Sequence, residues 1–575
     1  MLSILLNNKE IIMENGIVVI DFEDIPAAIQ IAADLPTYTI YTFDPVLVDK
    51  IAMHNLKNIQ LLTWDDCPQY SKLEAWSHTA AFDMEAALDR VVREIIPEVS
   101  IGTWQHLNLF YLLMKLKWYS GLWEAMANQL AEVKIHLLVC DKPSTYNLNS
   151  FIPALLLMQQ LRRHNIEFSA YTYGAVEDDT KRVPNLLGDC YDNQAETILT
   201  HLPTCFYDIY HFNEEMRASG KTFVNIKSRH YDMPVHTSKD IALLNLDEAL
   251  VGFPDATKNQ IEKFYTIVCG NLDDFLAEYL STASYRARQA EHLATIYKSQ
   301  LATYLLLGRH FQHIKPAKIL LSDRDMGFHG PIISFAEDYH LPVLLLPHSK
   351  TTNDMEYKYK NIVALTHPIQ GEKIHDAKGR NLLNFFIAYP ETLRSSSVYL
   401  APIKKIALLL NSPSASGIYF SRYSTYINDI KKIILWGRRN NIEFSIRCKP
   451  SYSIIKLLTA ETGVDAALLL HSAQISMAEF SQDCDLCLMF DSPTSGALEF
   501  LASSIPILNP VSRPLSASEA TFVNRRVIPR ENVDDTLLQL DGFLADLNSF
   551  FLFRNSQFRS YLNLFQSAQP LRVYL

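Results

Sequence analysis

Apolar and polar positions alternate in a regular rhythm along residues 16–64. GIVVIDF, TYTIYTF and NIQLLTW read as strands, and the stretches 25–33 and 45–54 between them read as helices. Strand and helix in strict turn predict a parallel sheet with helices on its faces. Residues 72–132 carry helical periodicity with little Gly or Pro. The strand rhythm restarts at Lys134: IHLLVCD is an apolar strand ending in an acid, KPSTYNLNSF a loop, IPALLLMQQLRRHN a helix and EFSAYTYG the next strand. Over 175–260, which includes TFVNIKSRHYD, the pattern assigns no order. Long two-faced helices are predicted over 257–313. PAKILLSDRD then reads as a strand, GPIISFAEDYH as a helix, and LPVLLLPHS and NIVALTHP as strands. ETLRSSSVYLAPIKK (390–404) has a linker pattern. Beyond it KKIALLLN, TYINDIKKIILWGRRNN and IEFSIRCKP give strand, helix and strand, and the tail from 533 reads as helical.

The expected fold class is α/β: two facing, doubly wound parallel sheets with an additional α/β module in front and helices at the end. The boundaries read as 1–130 for the front module, 134–390 and 400–530 for the two sheet domains, and 531–575 for helices that pack back. A chain of 575 residues is too long for a single core, which agrees with several units. A net charge of −11 argues against nucleic acid as a partner. Eight cysteines are too few for a disulfide scaffold, and Cys484-Asp-Leu-Cys487 reads as a buried strand rather than half of a zinc site. The N-terminus lacks the basic start and cleavage pattern of a signal peptide. The most apolar interior stretch, 106–123, is broken by Lys115 and Lys117, too short and too charged to span a bilayer. These features predict a cytoplasmic protein, with that stretch as a route to peripheral contact at the inner face of the membrane.

The chemistry concentrates at 489–510, MFDSPTSGALEFLASSIPILNP. An apolar strand runs into Asp491, then Ser492, Thr494, Ser495 and Gly496, then an apolar helix carrying Glu499. The first turn of a helix offers unpaired N–H groups and partial positive charge, where phosphates settle. The hydroxyls add donors, Gly496 lets a ligand approach the backbone, and Glu499 is placed to accept from ribose hydroxyls. The competing reading is a capped helix with a solvated acid. Upstream, IEFSIRCKPS ends a strand with Arg447 and Lys449, and Lys449 would direct an amine to the same cleft. The loop 411–417 is small and polar but lacks the spacing of a P-loop. No G-x-S-x-G, H-E-x-x-H or strand-borne G-x-G-x-x-G occurs.

A strand ending in a basic-Pro dipeptide is followed about forty residues on by a strand, D-S-x-T-S-x-x-x-E, a helix and a further strand. This order resembles the nucleotide-binding domain of GT-B glycosyltransferases, above all bacterial enzymes that build capsule and lipopolysaccharide. In sialyl- and Kdo-transferases of that type, an H-P dipeptide and a later Ser/Thr pair bind the phosphate and ribose of CMP. Here Lys449-Pro450 stands where those enzymes have H-P. The resemblance covers about 405–510, and over 134–370 it is one of layout. It implies two Rossmann-like domains and transfer of a sugar from a nucleotide-activated donor, first choice CMP-Kdo or CMP-sialic acid, to a glycan or lipid-linked acceptor. No cofactor or metal is implied. Lys449, Ser492, Thr494, Ser495 and Glu499 would bind the nucleotide. Asp325-Met326-Gly327 loosely resembles the acidic-acidic-Gly motif of sialyltransferases, with Arg324 where the first acid stands there. Asp323 or Asp325 would then act as base or as the nucleophile of a retaining double displacement, with His348 delivered to the same edge by VLLLP. Asp141, Lys142 and Ser144, after IHLLVC, are the candidates for acceptor contact. A nucleotide-sugar epimerase, a polyol-phosphate transferase and a noncatalytic nucleotide- or glycan-binding protein remain open alternatives.

Overall fold

The computed structural model describes residues 14–575 except 66, 103, 131–132, 143–151, 175–195, 203–211, 228–241, 246–252, 323–328, 348–361, 370–380, 388–400, 412, 416–417, 450–452, 516–518 and 520–522. β1 (Glu14–Val18), α1 (Ile25–Asp34), β2 (Thr39–Thr42), α2 (Pro45–Met53) and β3 (Ile59–Leu61) follow the expected rhythm. Asp44 opens α2: its carboxylate accepts from Val46 N at 2.8 Å, and Pro45 stands where a missing N–H costs nothing. Two long helices follow, α3 (Tyr70–Arg93) and α4 (His106–Leu130), then β4 (Val133–Lys142), α5 (Ile152–Arg163) and β5 (Phe168–Gly174).

These strands form one parallel sheet, A, in the order β3-β2-β1-β4-β5. The strand expected to head a second unit, β4, therefore pairs with β1 along Glu14–Val18 and with β5 on its other side. An apolar strand has the same pattern whichever neighbour receives its hydrogen bonds, so the sequence rhythm did not reveal this pairing.

Sheet B draws on β6 (Thr197–His201), α6 (Phe212–Ser219), β7 (Thr222–Lys227), β8 (Ala242–Asn245), α7 (Asp255–Leu276), α8 (Ala283–Ile314), β9 (Lys318–Ser322), α9 (His329–Asp338), β10 (Val343–Leu346), β11 (Ile362–Thr366) and β12 (Asn381–Ile387). Sheet C follows with β13 (Lys405–Leu410), the ribbon β14 (Ser414–Ala415) and β15 (Ile418–Tyr419), α10 (Tyr423–Arg439), β16 (Glu443–Cys448), α11 (Ile455–Thr462), α12 (Ala466–Gln474), α13 (Met477–Ser481), β17 (Leu486–Phe490), α14 (Ala497–Ala502), β18 (Ile507–Val511) and β19 (Arg530–Asn532). The chain ends with α15 (Val533–Ala545), α16 (Leu547–Leu564) and β20 (Gln569–Pro570). Sheet B has the order β20-β12-β11-β10-β9-β6-β7-β8 and sheet C the order β16-β13-β17-β18-β19, and every described pairing within the two is parallel. The fold class is α/β with doubly wound sheets, as expected.

One continuous core joins sheets A and B. Val18, Ile135 and Leu137 of sheet A belong to it, with Leu113 and Trp118 of α4, Phe264 of α7, Tyr297 of α8, and Leu199, Ile319 and Val343 of sheet B. α1 and α2 cover the other face of sheet A. In sheet C, α10, α11 and α15 cover one face, while α14 and Tyr561 cover the other. The tail then leaves sheet C: β20 pairs with β12, and Leu571 and Leu575 pack on the outer face of sheet B. Among the described residues no helix is long and apolar enough to cross a membrane.

Candidate functional site

In an open parallel sheet, ligands bind beyond the carboxyl ends of the strands, where the strand order reverses. In sheet C the reversal falls between β13 and β17. Asn411 follows β13, Lys449 follows β16, Asp491 and Ser492 follow β17, and Ser512 and Arg513 follow β18. The stretch at 489–510 thus lies where the sequence placed it, after a fully buried strand.

Asp491 turns the chain. It takes up the left-handed region at φ 55°, which Asp tolerates better than most residues. Its carboxylate accepts from Ser512 N at 2.6 Å and from Ser512 Oγ at 2.7 Å, tying β17 to β18. Burial pushes its carboxyl group up, against the nearby Arg513 charge and the Ser512 bonds. Ser492 Oγ donates to Glu519 at 2.5 Å and accepts from Arg513 Nη2 at 3.2 Å. Arg513 and Glu519 form a two-point ion pair at 2.6 and 2.8 Å, and the guanidinium lies 4.8 Å from the Phe420 ring centroid. Burial alone would lower the guanidinium; the bonds and charge of Glu519 outweigh it, and the net shift is upward. Asn411 Nδ2 reaches Pro493 O at 3.4 Å and links the two loops of the switch.

Two expectations for this segment are corrected. The helix-start amides are engaged within their own turn. Ala497, Leu498 and Glu499 N–H groups bond to the carbonyls of Thr494, Ser495 and Gly496 at 3.2, 3.0 and 3.3 Å. Gly496 N reaches Thr494 Oγ1 at 3.4 Å, and Thr494 N reaches Met489 Sδ at 3.3 Å. α14 is only six residues long, so tight turn bonds consume the donors that a longer helix leaves open. Gly496 does not make room for a ligand: a Cβ there would stand 2.7 Å from Met477 Cε, so its role is close packing on α13. Thr494, Ser495 and Glu499 are half-buried at the edge, and Lys449 is exposed. Arg447 points elsewhere, donating to the carbonyls of Ser472 and Ile475 at 2.7 and 2.8 Å. Cys484 and Cys487 are buried free thiols, both pushed up by burial.

Of the residues expected on the other side, Asp323, Asp325, His348 and Ser144 lie outside the described residues. Asp141 and Lys142 close β4, in sheet A. β4 adjoins β1 at that sheet's own order reversal. In sheet B the reversal lies between β6 and β9. There His201 and His329 meet edge to face, ring centroids 5.4 Å apart. Burial holds both imidazoles neutral, His201 down to about 4.

The sequence reading missed Arg513 and Glu519, although Arg513 follows β18 much as Lys449 follows β16. It also missed the edge of sheet A. After β1, Asp24 Oδ2 accepts from Ile20 N and Asp21 N at 2.8 and 2.9 Å, and Oδ1 accepts from Tyr173 Oη at 2.7 Å. Burial pushes Asp24 up to about 7 and Asp44 up to about 6, against those bonds in the first case and the Val46 amide in the second. Lys115 of α4 is 2% exposed, and burial pushes it down to about 7 against the Asp21 charge. The signal was present: GIVVIDFED ends a strand in acids, as LCLMFD does.

The residues after β2 and β3 touch those after β13. Tyr419 Oη donates to Phe43 O at 2.6 Å, Trp64 stacks on Tyr419 with centroids 3.7 Å apart, and Trp64 Nε1 donates to Ser421 O at 2.8 Å. The carboxyl edges of sheets A and C therefore meet. At the other end of sheet B, Asn524 N donates to Ile369 O at 2.6 Å, and His367 lies edge-on to Phe565 at 5.3 Å.

The whole is a multi-sheet parallel α/β protein with polar edges at its strand-order reversals. No protein-family model matches the chain, and no curated protein matches it. Among solved structures it is similar to MurG of Acinetobacter baumannii, at 10% identity over 66% of this chain and 97% of that one, TM-score 0.35. It is similar to the spinosyn rhamnosyltransferase SpnG at 11% identity, covering 65% of this chain and 97% of that one, TM-score 0.33. It is also similar to a UDP-N-acetylglucosamine 2-epimerase at 10% identity, covering 63% and 91%, TM-score 0.30. At such values neither family nor substrate follows.

Proposed function

We propose that the protein is a GT-B-type glycosyltransferase whose donor nucleotide sits at the β13/β17 edge of sheet C. One observation carries this reading. Asn411, Lys449, Ser492 and Arg513 gather at the carboxyl ends of four neighbouring parallel strands, across the order reversal, around the segment D-S-x-T-S-x-x-x-E. Because the turn amides are engaged, side chains hold the donor's phosphate. Lys449 and the hydroxyls of Thr494 and Ser495 take that role, and Glu499 accepts from the ribose.

The donor of first choice is CMP-Kdo or CMP-sialic acid, which rests on the resemblance of the motif. The acceptor is a bacterial surface glycan, free or lipid-linked, met on the cytoplasmic side of the membrane and held near Asp141, Lys142 and Ser144. Asp323 or Asp325, with His348 beside it, takes the proton of the acceptor hydroxyl as its oxygen bonds to the anomeric carbon. The nucleotide phosphate leaves with the bonding electrons, and Lys449 stabilises its charge.

Thermal unfolding with CMP, CDP, UDP and GDP, on the wild type and on Glu499→Ala, tests the reading. A nucleotide at a hundred times its Kd stabilises the folded chain by about 2.7 kcal/mol. One nucleotide should raise the melting temperature of the wild type and fail to do so in the variant. No response to any of the four overturns the proposal. An epimerase would convert its nucleotide sugar without an acceptor, which a turnover assay lacking acceptor separates.

A further inference from the structure

Two of the segments around the candidate site, after β13 and after β16, lead into α10 and α11, and side chains of the N-terminal unit hold the starts of both helices. Asp49 of α2 accepts from Ser453 Oγ at 2.8 Å, Ile455 N at 2.7 Å and Lys456 N at 2.9 Å. Its carboxylate thereby caps α11. Asp65, after β3, accepts from Ser424 N and Ser424 Oγ, both at 2.8 Å, and caps α10. Neither helix caps itself: Arg422 and Ile454 stand at the N-cap positions and make no side-chain cap bond. The neighbouring helices do cap themselves, α12 with Asp465, α13 with Ser476, α15 with Asn532 and α16 with Asp546. Among these six, only α10 and α11 take their caps from another sheet's unit; α14, which opens from the segment after β17, has Gly496 at its N-cap and no side-chain cap bond.

Aromatic contacts continue the same hold. Trp64 fixes Tyr419 and Ser421, as described above. Tyr70, at the start of α3, meets Phe420 edge to face at 4.6 Å. Phe420 in turn lies under Arg513.

We infer that residues 43–70 are positioning elements of the candidate ligand site. Asp49 fixes Ser453, Ile455 and Lys456 downstream of Lys449, Asp65 fixes Ser424 downstream of Asn411, and Tyr70 sets Phe420 beneath Arg513. This gives the front module a role in ligand binding without contact to the ligand. The ligand part of the inference rests on the function proposed above; the loop part does not.

The test uses the full chain as wild type, Asp49→Ala, Asp65→Ala, and the variants Asp49→Asn and Asp65→Asn, which each keep one acceptor oxygen. Hydrogen exchange without ligand reads the loops. In the alanine variants, amides of 421–426 (for Asp65) and 453–458 (for Asp49) should exchange about five- to tenfold faster, with β17 and α15 unchanged. Titration with CMP, CDP, UDP and GDP reads the site: the nucleotide that binds the wild type should bind each alanine variant about tenfold more weakly, and the asparagine variants should recover most of the loss. Unchanged exchange in those segments overturns the inference, as does faster exchange with unchanged nucleotide affinity. If the wild type binds no nucleotide, the proposed function fails by itself, and the exchange result still decides whether Asp49 and Asp65 position the loops.

Discussion

The edges of sheets A and C occupy equivalent places in their sheets and hold buried charge in opposite ways. At the edge of sheet C, Arg513 and Glu519 are 8% and 12% exposed and bind each other at two points, with Ser492 bridging. Arg513 keeps its charge despite burial because Glu519 lies against it. At the edge of sheet A, burial drives Asp24 and Asp44 toward their protonated forms and Lys115 toward its neutral amine. Hydrogen bonds there satisfy oxygen atoms without supplying full countercharge. At the paired edge Arg513 keeps its positive charge, although burial also pushes the neighbouring Asp491 carboxyl up. A neutralised edge changes its charge near neutral pH, and that sensitivity belongs to the front module.

Breaking the pair should give the largest effect. Arg513→Ala leaves Glu519 buried without its cation and removes the bond to Ser492, at a cost of about 5 kcal/mol in urea unfolding. Replacing both partners, Arg513→Met with Glu519→Leu, should cost far less. Equal costs for the single and double variants would erase the contrast between the edges.

The pH response of the other edge comes next. Asp24 titrates at about 7 in the folded chain and at its ordinary 3.8 when unfolded, so the folded chain holds the proton more tightly. Its contribution is full below about pH 4 and is lost as pH rises to 7. A shift of that size amounts to about 4 kcal/mol over the window. Asp24→Asn should flatten the decline of unfolding free energy between pH 4 and 7; an unaltered slope would remove Asp24 from the account.

The junction between the edges is worth less per bond. Asp49→Ala should cost about 1–2 kcal/mol, the usual value of a helix cap. Gly496→Ala should cost under about 1 kcal/mol, because the added methyl meets the flexible end of Met477. It should leave nucleotide affinity unchanged. A large loss of affinity in Gly496→Ala would return the turn backbone to the ligand site.

Much of this architecture was legible along the chain. Strand endings were read well where an apolar run met a polar residue: IALLL before Asn411, FSIRC before Lys449 and LCLMF before Asp491 all end at the edge of sheet C. The same criterion applied after ILNPV would have found Arg513, and after GIVVI would have found the acids of sheet A. What failed were inferences about availability. The residues after Asp491 looked like an open phosphate cradle because hydroxyls, a glycine and a helix start are what such cradles contain. The tight bonds inside a six-residue helix and the approach of Met477 use those groups up, and neither is written in the local sequence.

The sequence by itself determined the α/β class, the parallel character of the sheets and the polar character of their edges, because side-chain periodicity and strand-end residues are local properties. Tertiary structure decided that β4 completes the first sheet, that the tail returns to the second, and that carboxylates of one unit cap the helices of another. Those are choices of partner among groups far apart in the chain, and a backbone amide or a carboxylate looks the same in sequence whichever group it meets.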